Sequence, residues 1–320
     1  MKDLRENRFT QQPIARQIRE WSEAPTLTIV TPGVRDYLAG FIRAVVQTLS
    51  PSSVRAFFRE LDATDPVLSR LGWVLLLIIP VFVTLALVAP AGTVVVNPWI
   101  KPIKFSMSFS TFASTISLLL LALRIPKWQL TLARRAIAIS VAFEIMSLAA
   151  QAWRSAYHLS GQSLLDNSLA QMTNSMVMVN TAIVCWMLAL FCADRVQTDR
   201  IDWPMVSAVR YSIVIFLAGN AIGGYMLARG SHTVGTADGG PGLPFVNWSV
   251  IGGDLRIAHF IAIHAIQIVP LFAYVLSQMS PILPVKYRRM AAGAVALGVG
   301  VAVGATFVQA ALGHPLLSLR

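Results

Sequence analysis

Long runs of apolar residues alternate with short polar stretches along most of the chain. Seven of these runs are near the length of about 20 residues that an α-helix needs to cross a bilayer core of about 30 Å. They occupy residues 71–90, 103–123, 134–153, 169–193, 206–228, 256–277 and 290–312. The pattern therefore predicts an all-α, polytopic transmembrane bundle of about seven spanning helices.

The residues before the first run follow a different pattern. Residues 1–70 are predicted to form a cytoplasmic tail, in which apolar residues recur at helical spacing within 34–49 and again within 51–61. Two placements are open for these amphipathic helices: on the inner leaflet of the membrane, or as a hairpin packed on the protein's own cytoplasmic loops. Residues 71–312 then form the membrane domain, and residues 313–320 form a short outer tail.

Composition supports a membrane protein over a soluble one. Of the 320 residues, 55% are hydrophobic and only 13% are charged, and the mean hydropathy is +0.63. These values are too apolar for an ordinary soluble chain of this length. The uninterrupted runs also exclude an outer-membrane barrel, whose strands are short and alternate apolar with polar residues.

The basic residues predict the orientation. With the N-terminus in the cytoplasm, 20 of the 26 Lys and Arg residues fall on the cytoplasmic side. This asymmetry predicts an N-in, C-out topology in a bacterial inner membrane. It also explains the net charge of +11 through contact with the lipid bilayer, with no need for a nucleic-acid partner.

One long connection interrupts this pattern of short loops. Residues 229–255 contain seven glycines and two prolines, which predicts an irregular outer loop rather than a helix. An insertion of this length is more often functional than not, so a lid over the outer mouth of the bundle is expected, anchored by Phe245 and Trp248. The alternative is a loosely attached linker.

All five histidines fall on the predicted outer side. They are His158, His232, His259, His264 and His314. Imidazole and carboxylate groups are common metal ligands, so a divalent metal is predicted at His158, His232, His259 and Asp254. A competing interpretation makes Asp254 only the N-cap of the sixth spanning helix.

Polar residues also form stripes on several spanning helices. At 100° per residue, Glu144, Ser147, Gln151, Arg154 and His158 fall within about 80° on the third span, and Arg256, His259, His264 and Gln267 within about 140° on the sixth. Polar stripes avoid lipid, so an outward-facing cavity is expected. The predicted catalytic residues are Glu144, His259, Arg256 and Gln151, and the predicted substrate-binding residues are Lys104, Arg154, Gln267, Asn174 and Asn220.

Glu144 is the most informative of these residues. A carboxylate at that depth in a membrane needs a partner or a proton. The cations predicted to reach it are Lys104 and Arg256, which lie near the outer ends of neighbouring spans.

Four stretches of the chain carry a resemblance to a known group. They are residues 97–105 (NPWIKPIKF), 229–235 (RGSHTVG), 238–244 (DGGPGLP) and 253–260 (GDLRIAHF). In these stretches the chain resembles an uncharacterised family of bacterial multipass inner-membrane proteins. The resemblance implies a shared seven-helix fold over roughly residues 95–280, and it carries over no catalytic assignment.

Three functions are consistent with the sequence. The leading hypothesis is a membrane enzyme or redox protein that acts on a small anionic or lipid-like molecule at a His-rich site, with a divalent metal as the expected cofactor. One alternative is a haem- or quinone-binding protein, in which a histidine of the sixth span pairs with one from another helix. The other is a transporter or sensor in which Glu144 and nearby cations gate a solute or a proton.

Overall fold

A computed structural model describes residues 33–88, 97–157, 163–280 and 282–318. These residues are mostly helical, and they include one antiparallel pair of two-residue strands. The helices are α1 (Val34–Thr48), α2 (Pro51–Thr64), α3 (Pro66–Leu77), α4 (Ile79–Val88), α5 (Ile100–Leu121), α6 (Lys127–Ala156), α7 (Leu164–Cys192), α8 (Trp203–Arg229), α9 (Leu255–Ser277) and α10 (Val285–Ala311), and the strands are β1 (Thr233–Val234) and β2 (Gly253–Asp254).

Seven helical segments of the described chain are long and apolar enough to span a membrane, as the hydropathy pattern predicted. Helices α3 and α4 together form the first, Pro66–Val88. This span begins before the predicted residue 71 because the Asp65 side chain accepts a hydrogen bond from the Leu68 amide and Pro66 occupies the first helical position. The N-in, C-out orientation stays a prediction.

Successive spans run in opposite directions, so the connections fall at two ends of the bundle. We call one the basic end; it carries α1, α2 and the connections 122–126, 193–202 and 278–284. We call the other the loop end; it carries the connection 230–252 and the C-terminal residues that follow α10.

The main core lies between α5, α6, α7 and α8. Its fully buried members include Leu120, Ile137, Met187, Phe191 and Ile213. Because these side chains exclude water and lipid from the middle of the bundle, any polar group at the same depth depends on protein partners.

Helix α1 uses two apolar faces. Ala44 is buried against Val275, Leu276 and Met279 of the α9 end, so this face packs on the protein itself. The other face is exposed and consists of Leu38, Ile42, Val46 and Leu49. Placement of this exposed face on the inner leaflet of a membrane stays a prediction.

A buried ion pair joins the helices at the basic end. Asp65 is 0% exposed. Its carboxylate forms an ion pair with Arg134 Nε of α6 at 2.8 Å and accepts a hydrogen bond from the Ser117 hydroxyl of α5 over 2.7 Å. The second amino group of Arg134 donates to the Thr64 carbonyl over 3.2 Å. One carboxylate therefore joins α3, α5 and α6.

Candidate functional site

The polar stripe predicted on the third span faces α7. Its residues recur every three or four positions along α6, and their partners on α7 recur every seven, which places each set on one helix face. We call this set the polar seam; it consists of Ser140, Glu144, Ser147, Gln151 and Arg154 of α6 and Asp166, Thr173 and Asn180 of α7. Along α6 it extends for about 21 Å.

The inner end of the seam is a buried chain of two neutral donors that ends on a carboxyl group. Glu144 is 3% exposed, and Asn180 Nδ2 donates to its Oε1 over 2.9 Å. The Ser140 hydroxyl in turn donates to Asn180 Oδ1 over 2.6 Å. The Asn180 amide is therefore oriented by Ser140, with its NH2 group toward Glu144.

The seam continues from Glu144 to the loop end. Thr173 Oγ1 donates to Ser147 Oγ over 2.9 Å, and Gln151 Nε2 donates to the same oxygen over 3.2 Å. Further out, Arg154 Nε donates to Asp166 Oδ1 over 2.7 Å. The inner end is buried, whereas the Arg154 and Asp166 side chains are 20% and 17% exposed, so the seam opens toward the loop end.

Of the two alternatives predicted for Glu144, a cationic partner or a proton, the described residues do not support the first. Among the described residues no cation bonds to its carboxyl group, and the two expected partners are engaged elsewhere. Lys104 Nζ donates to the Val246 carbonyl over 3.3 Å, and Arg256 Nη2 lies 2.6 Å from Asp254 Oδ2. Both cations hold the outer loop, and this use takes them away from the interior.

Apolar packing closes the other end of the seam. Ile137 is fully buried one turn before Ser140 and belongs to the main core. Arg135, the next polar residue of α6 in that direction, is exposed. Arg134 is bound to Asp65 and lies about 9 Å from Ser140 along the helix axis. The seam is therefore separated from the polar groups of the basic end.

His259 lies at the closest contact between α8 and α9. Its Nδ1 is 2.8 Å from the Gly219 carbonyl oxygen, and a Cβ atom on Gly223 would lie 3.1 Å from its Cε1. A Cβ on Gly219 would lie 2.8 Å from the Ala262 Cβ. The two glycines of this GxxxG motif let the helices approach, and the histidine joins them.

The outer loop is folded onto the bundle. Asp254 is the N-cap of α9 and accepts from the Arg256 amide over 3.0 Å. It also accepts from the Ser249 amide over 2.9 Å, so it holds the outer loop as well as capping the helix. Trp248 packs on Phe260 of α9 with ring centroids 5.7 Å apart. A Cβ on Gly253 would lie only 1.9 Å from the Ala310 carbonyl oxygen, so β2 lies directly against the end of α10.

Asp238 organises the start of this loop. Burial raises the pKa of its carboxyl group, but hydrogen bonds from Thr233, Ser231 and the His232 amide outweigh burial and lower the pKa to about 2. The shortest of these bonds, from Thr233 Oγ1, is 2.5 Å. Burial, followed by the charge of Arg256, lowers the pKa of His232, although Asp238 and Asp254 oppose this shift.

The described residues give no support to the predicted metal site. His158 lies outside the described residues. Among the others, no three His, Cys, Asp or Glu side chains form a group that could hold a metal ion. His232 Nδ1 and Asp254 Oδ1 are 4.0 Å apart, but Arg256 binds both oxygens of Asp254.

The remaining predicted residues are dispersed among other contacts. Asn220 of α8 donates to Thr181 of α7 over 3.1 Å. Asn174 is half-buried and makes no side-chain hydrogen bond within the described ranges. The Gln267 side chain interacts with His264 of the same helix. Of the predicted site, Glu144, Gln151 and Arg154 belong to the seam, whereas His259, Arg256 and Lys104 contact α8 or the outer loop.

Sequence reasoning missed the α7 side of the seam. Asp166, Thr173 and Asn180 were not singled out, although their spacing of seven residues places them on one helix face. Asp65 was also missed; its position directly before a proline and an apolar run is a helix-start signal.

Comparison with family models, curated proteins and solved structures finds no match to this chain. The resemblance in the four sequence stretches thus stays an expectation.

Proposed function

We propose that this protein is a proton-linked membrane transporter or sensor in which Glu144 binds the proton. The observation that carries the proposal is a carboxyl group, 3% exposed within a spanning helix, whose hydrogen-bond donor is a neutral amide. A carboxylate without a cation is costly at this depth, and such residues commonly belong to proton relays. Glu144 is therefore protonated at rest and loses its proton when the protein works.

The polar seam is the route by which the proton reaches Glu144. Hydroxyl and amide side chains can both donate and accept hydrogen bonds, and Gln151, Ser147 and Thr173 line the seam between Glu144 and Arg154. Ile137 closes the route toward the basic end. Access from one side alone suits a sensor, or one state of a transporter.

The metal-enzyme and haem hypotheses have less support. A ligating histidine needs a free ring nitrogen and ligands nearby. The Nδ1 contact of His259 with the Gly219 carbonyl leaves Nε2 able to ligate, but the described residues form no group of three His, Cys, Asp or Glu side chains that could hold a metal ion.

Infrared titration of the purified protein tests the proposal. A protonated carboxyl group has a C=O stretching band that the carboxylate lacks. We expect a band that titrates in the native protein, is absent from Glu144→Gln, and is unchanged in Glu60→Gln, which alters an exposed carboxylate of α2. Glutamine retains the shape and neutrality of the protonated side chain, so the fold should persist.

Two outcomes overturn the proposal. One is a native spectrum without any Glu144-dependent band across the accessible pH range. The other is a Glu144 band that never titrates while the protein stays folded, because a group that never exchanges its proton cannot be the centre of a proton-linked protein.

A further inference from the structure

A groove between α8 and α10 opens at the basic end of the bundle. It has a volume of about 530 Å³ and is lined by Tyr211 of α8 and by Val285, Lys286, Arg289, Met290 and Gly293 of α10. The α10 residues follow helical spacing, so they form one face of that helix.

The groove lies where a membrane surface meets its hydrocarbon core. The stretch of α10 from Met290 to Ala311 contains no charged residue. This stretch is long enough to cross the hydrocarbon core. Lys286 and Arg289 lie just before this stretch and are exposed. The cations therefore lie at headgroup level and the apolar lining at acyl-chain level.

The two cations have no acidic partner in the described part of the chain. The nearby carboxylate of Asp202 is already engaged, because it caps α8 and binds Arg288 of α10. Arg288 is buried, whereas Lys286 and Arg289 are not. The positive end of the α10 dipole adds to their charge.

We propose that this groove binds an anionic phospholipid, with the phosphate at Lys286 and Arg289 and an acyl chain against Tyr211 and Met290. Basic pockets between spanning helices recognise such headgroups. Gly293 leaves room for the chain: a Cβ there would lie 3.8 Å from Tyr211 Cε2, so a larger side chain would fill the space.

Native mass spectrometry of the detergent-purified protein, titrated with phosphatidylglycerol or phosphatidylcholine, tests this site. We expect the native protein to retain phosphatidylglycerol in preference to phosphatidylcholine. Each Lys or Arg near a membrane surface contributes about 1 kcal/mol, so Lys286→Gln with Arg289→Gln should weaken phosphatidylglycerol binding about 30-fold. The matched control, Arg195→Gln with Arg200→Gln, removes two exposed cations of the same end and should leave the affinity unchanged.

A second pair of variants tests the apolar part. Gly293→Leu should weaken phosphatidylglycerol binding, whereas Gly298→Leu, where a Cβ meets nothing within 4 Å, should not. Equal affinity of the native protein and the Lys286/Arg289 variant would overturn the proposal. The proposal would also fail if inorganic phosphate displaced phosphatidylglycerol while Gly293→Leu left the affinity unchanged. The site would then hold a phosphate and no lipid.

Discussion

Asn180 donates a hydrogen bond to Glu144 over 2.9 Å, across the interface between α7 and α6. The sequence left two alternatives at this place, a cationic partner or a proton on the carboxyl group. A neutral amide satisfies a protonated carboxyl group without bringing a second charge into the bilayer, and removal of either partner leaves the other buried without its bond.

Replacement of Glu144 should distinguish the effect of its charge on stability from the effect of its hydrogen bond with Asn180. The unfolding temperature of Glu144→Gln should lie within a few degrees of that of the native protein, since the new side chain is neutral and can accept a hydrogen bond from Asn180. Glu144→Ala should cost about 1–3 kcal/mol, because it strands a buried amide. Thermal unfolding in detergent measures both changes.

A double variant at Glu144 and Asn180 provides the control. Glu144→Leu combined with Asn180→Leu removes donor and acceptor together and should be more stable than either single change. A strong loss of stability in Glu144→Gln would instead indicate a carboxylate that is charged at rest.

The sequence predicted the face of α6 that carries Glu144 but not the helix that this face meets. Helical periodicity is local, so the positions of Glu144, Gln151 and Arg154 place them on one face without any tertiary information. The choice of partner depends on packing: Lys104 and Arg256 are equally polar, but carbonyl and carboxylate groups of the outer loop bind them.

Gly219 should tolerate no added methyl group. In Gly219→Ala the new Cβ would lie 2.8 Å from Ala262 Cβ and 3.1 Å from the Ile263 nitrogen, so α8 and α9 must separate. We expect a loss of about 1–3 kcal/mol. Gly224→Ala on the same helix is the control, because a Cβ there meets nothing within 4 Å. Equal melting temperatures of the two variants would contradict this close contact.

Asp65→Asn should be among the most destabilising single changes. It leaves Arg134, whose side chain is 15% exposed, without its negative partner, and breaking a buried pair costs about 3–5 kcal/mol. Glu60→Gln, an exposed change in the preceding helix, should stay within about 0.5 kcal/mol. Thermal unfolding of the two variants measures this difference. Equal melting temperatures would show that Asp65 contributes little to stability.

The outer loop should loosen in acid in two steps. The pKa of His232 is lowered in the fold, so the unfolded loop binds a proton first and loop stability falls as the pH drops below about 6.5. The pKa of Asp238 is lowered to about 2, so its stabilising contribution is complete above about 4 and is lost as the pH falls toward 2. Hydrogen exchange of residues 231–254 at several pH values measures both steps.

Asp238→Asn isolates the second step. This variant should exchange faster at neutral pH and should lose the transition below pH 4. Asp199→Asn, at an exposed loop position of the opposite end, should behave like the native protein. A loop whose exchange is independent of pH in every variant, after correction for the intrinsic rate, would contradict the role of both residues.

The predicted orientation can be measured directly. Reporter fusions after residues 128, 198 and 284 should be cytoplasmic, and those after residues 160 and 240 should be periplasmic, because Lys and Arg partition that way at each connection. A periplasmic signal at residue 198 would place the open end of the polar seam in the cytoplasm.

The spans themselves could be predicted because burial in lipid requires long apolar runs whatever the tertiary structure. The residues at which the spans begin and end could not be predicted in this way. Helix α6 begins at Lys127 and α7 at Leu164, ahead of the predicted residues 134 and 169, since polar residues extend a helix beyond the apolar run without changing the hydropathy signal.

If Glu144 binds the proton as proposed, closure of the polar seam by Ile137 would make its occupancy sensitive to the membrane voltage. Glu144 lies ten residues from Arg154, about 15 Å along α6, or about half of a hydrocarbon core of about 30 Å. A proton that enters from the loop end therefore crosses about half of the membrane field, which amounts to about 1 kcal/mol per 100 mV. A potential that is negative at the basic end would then draw the proton toward Glu144.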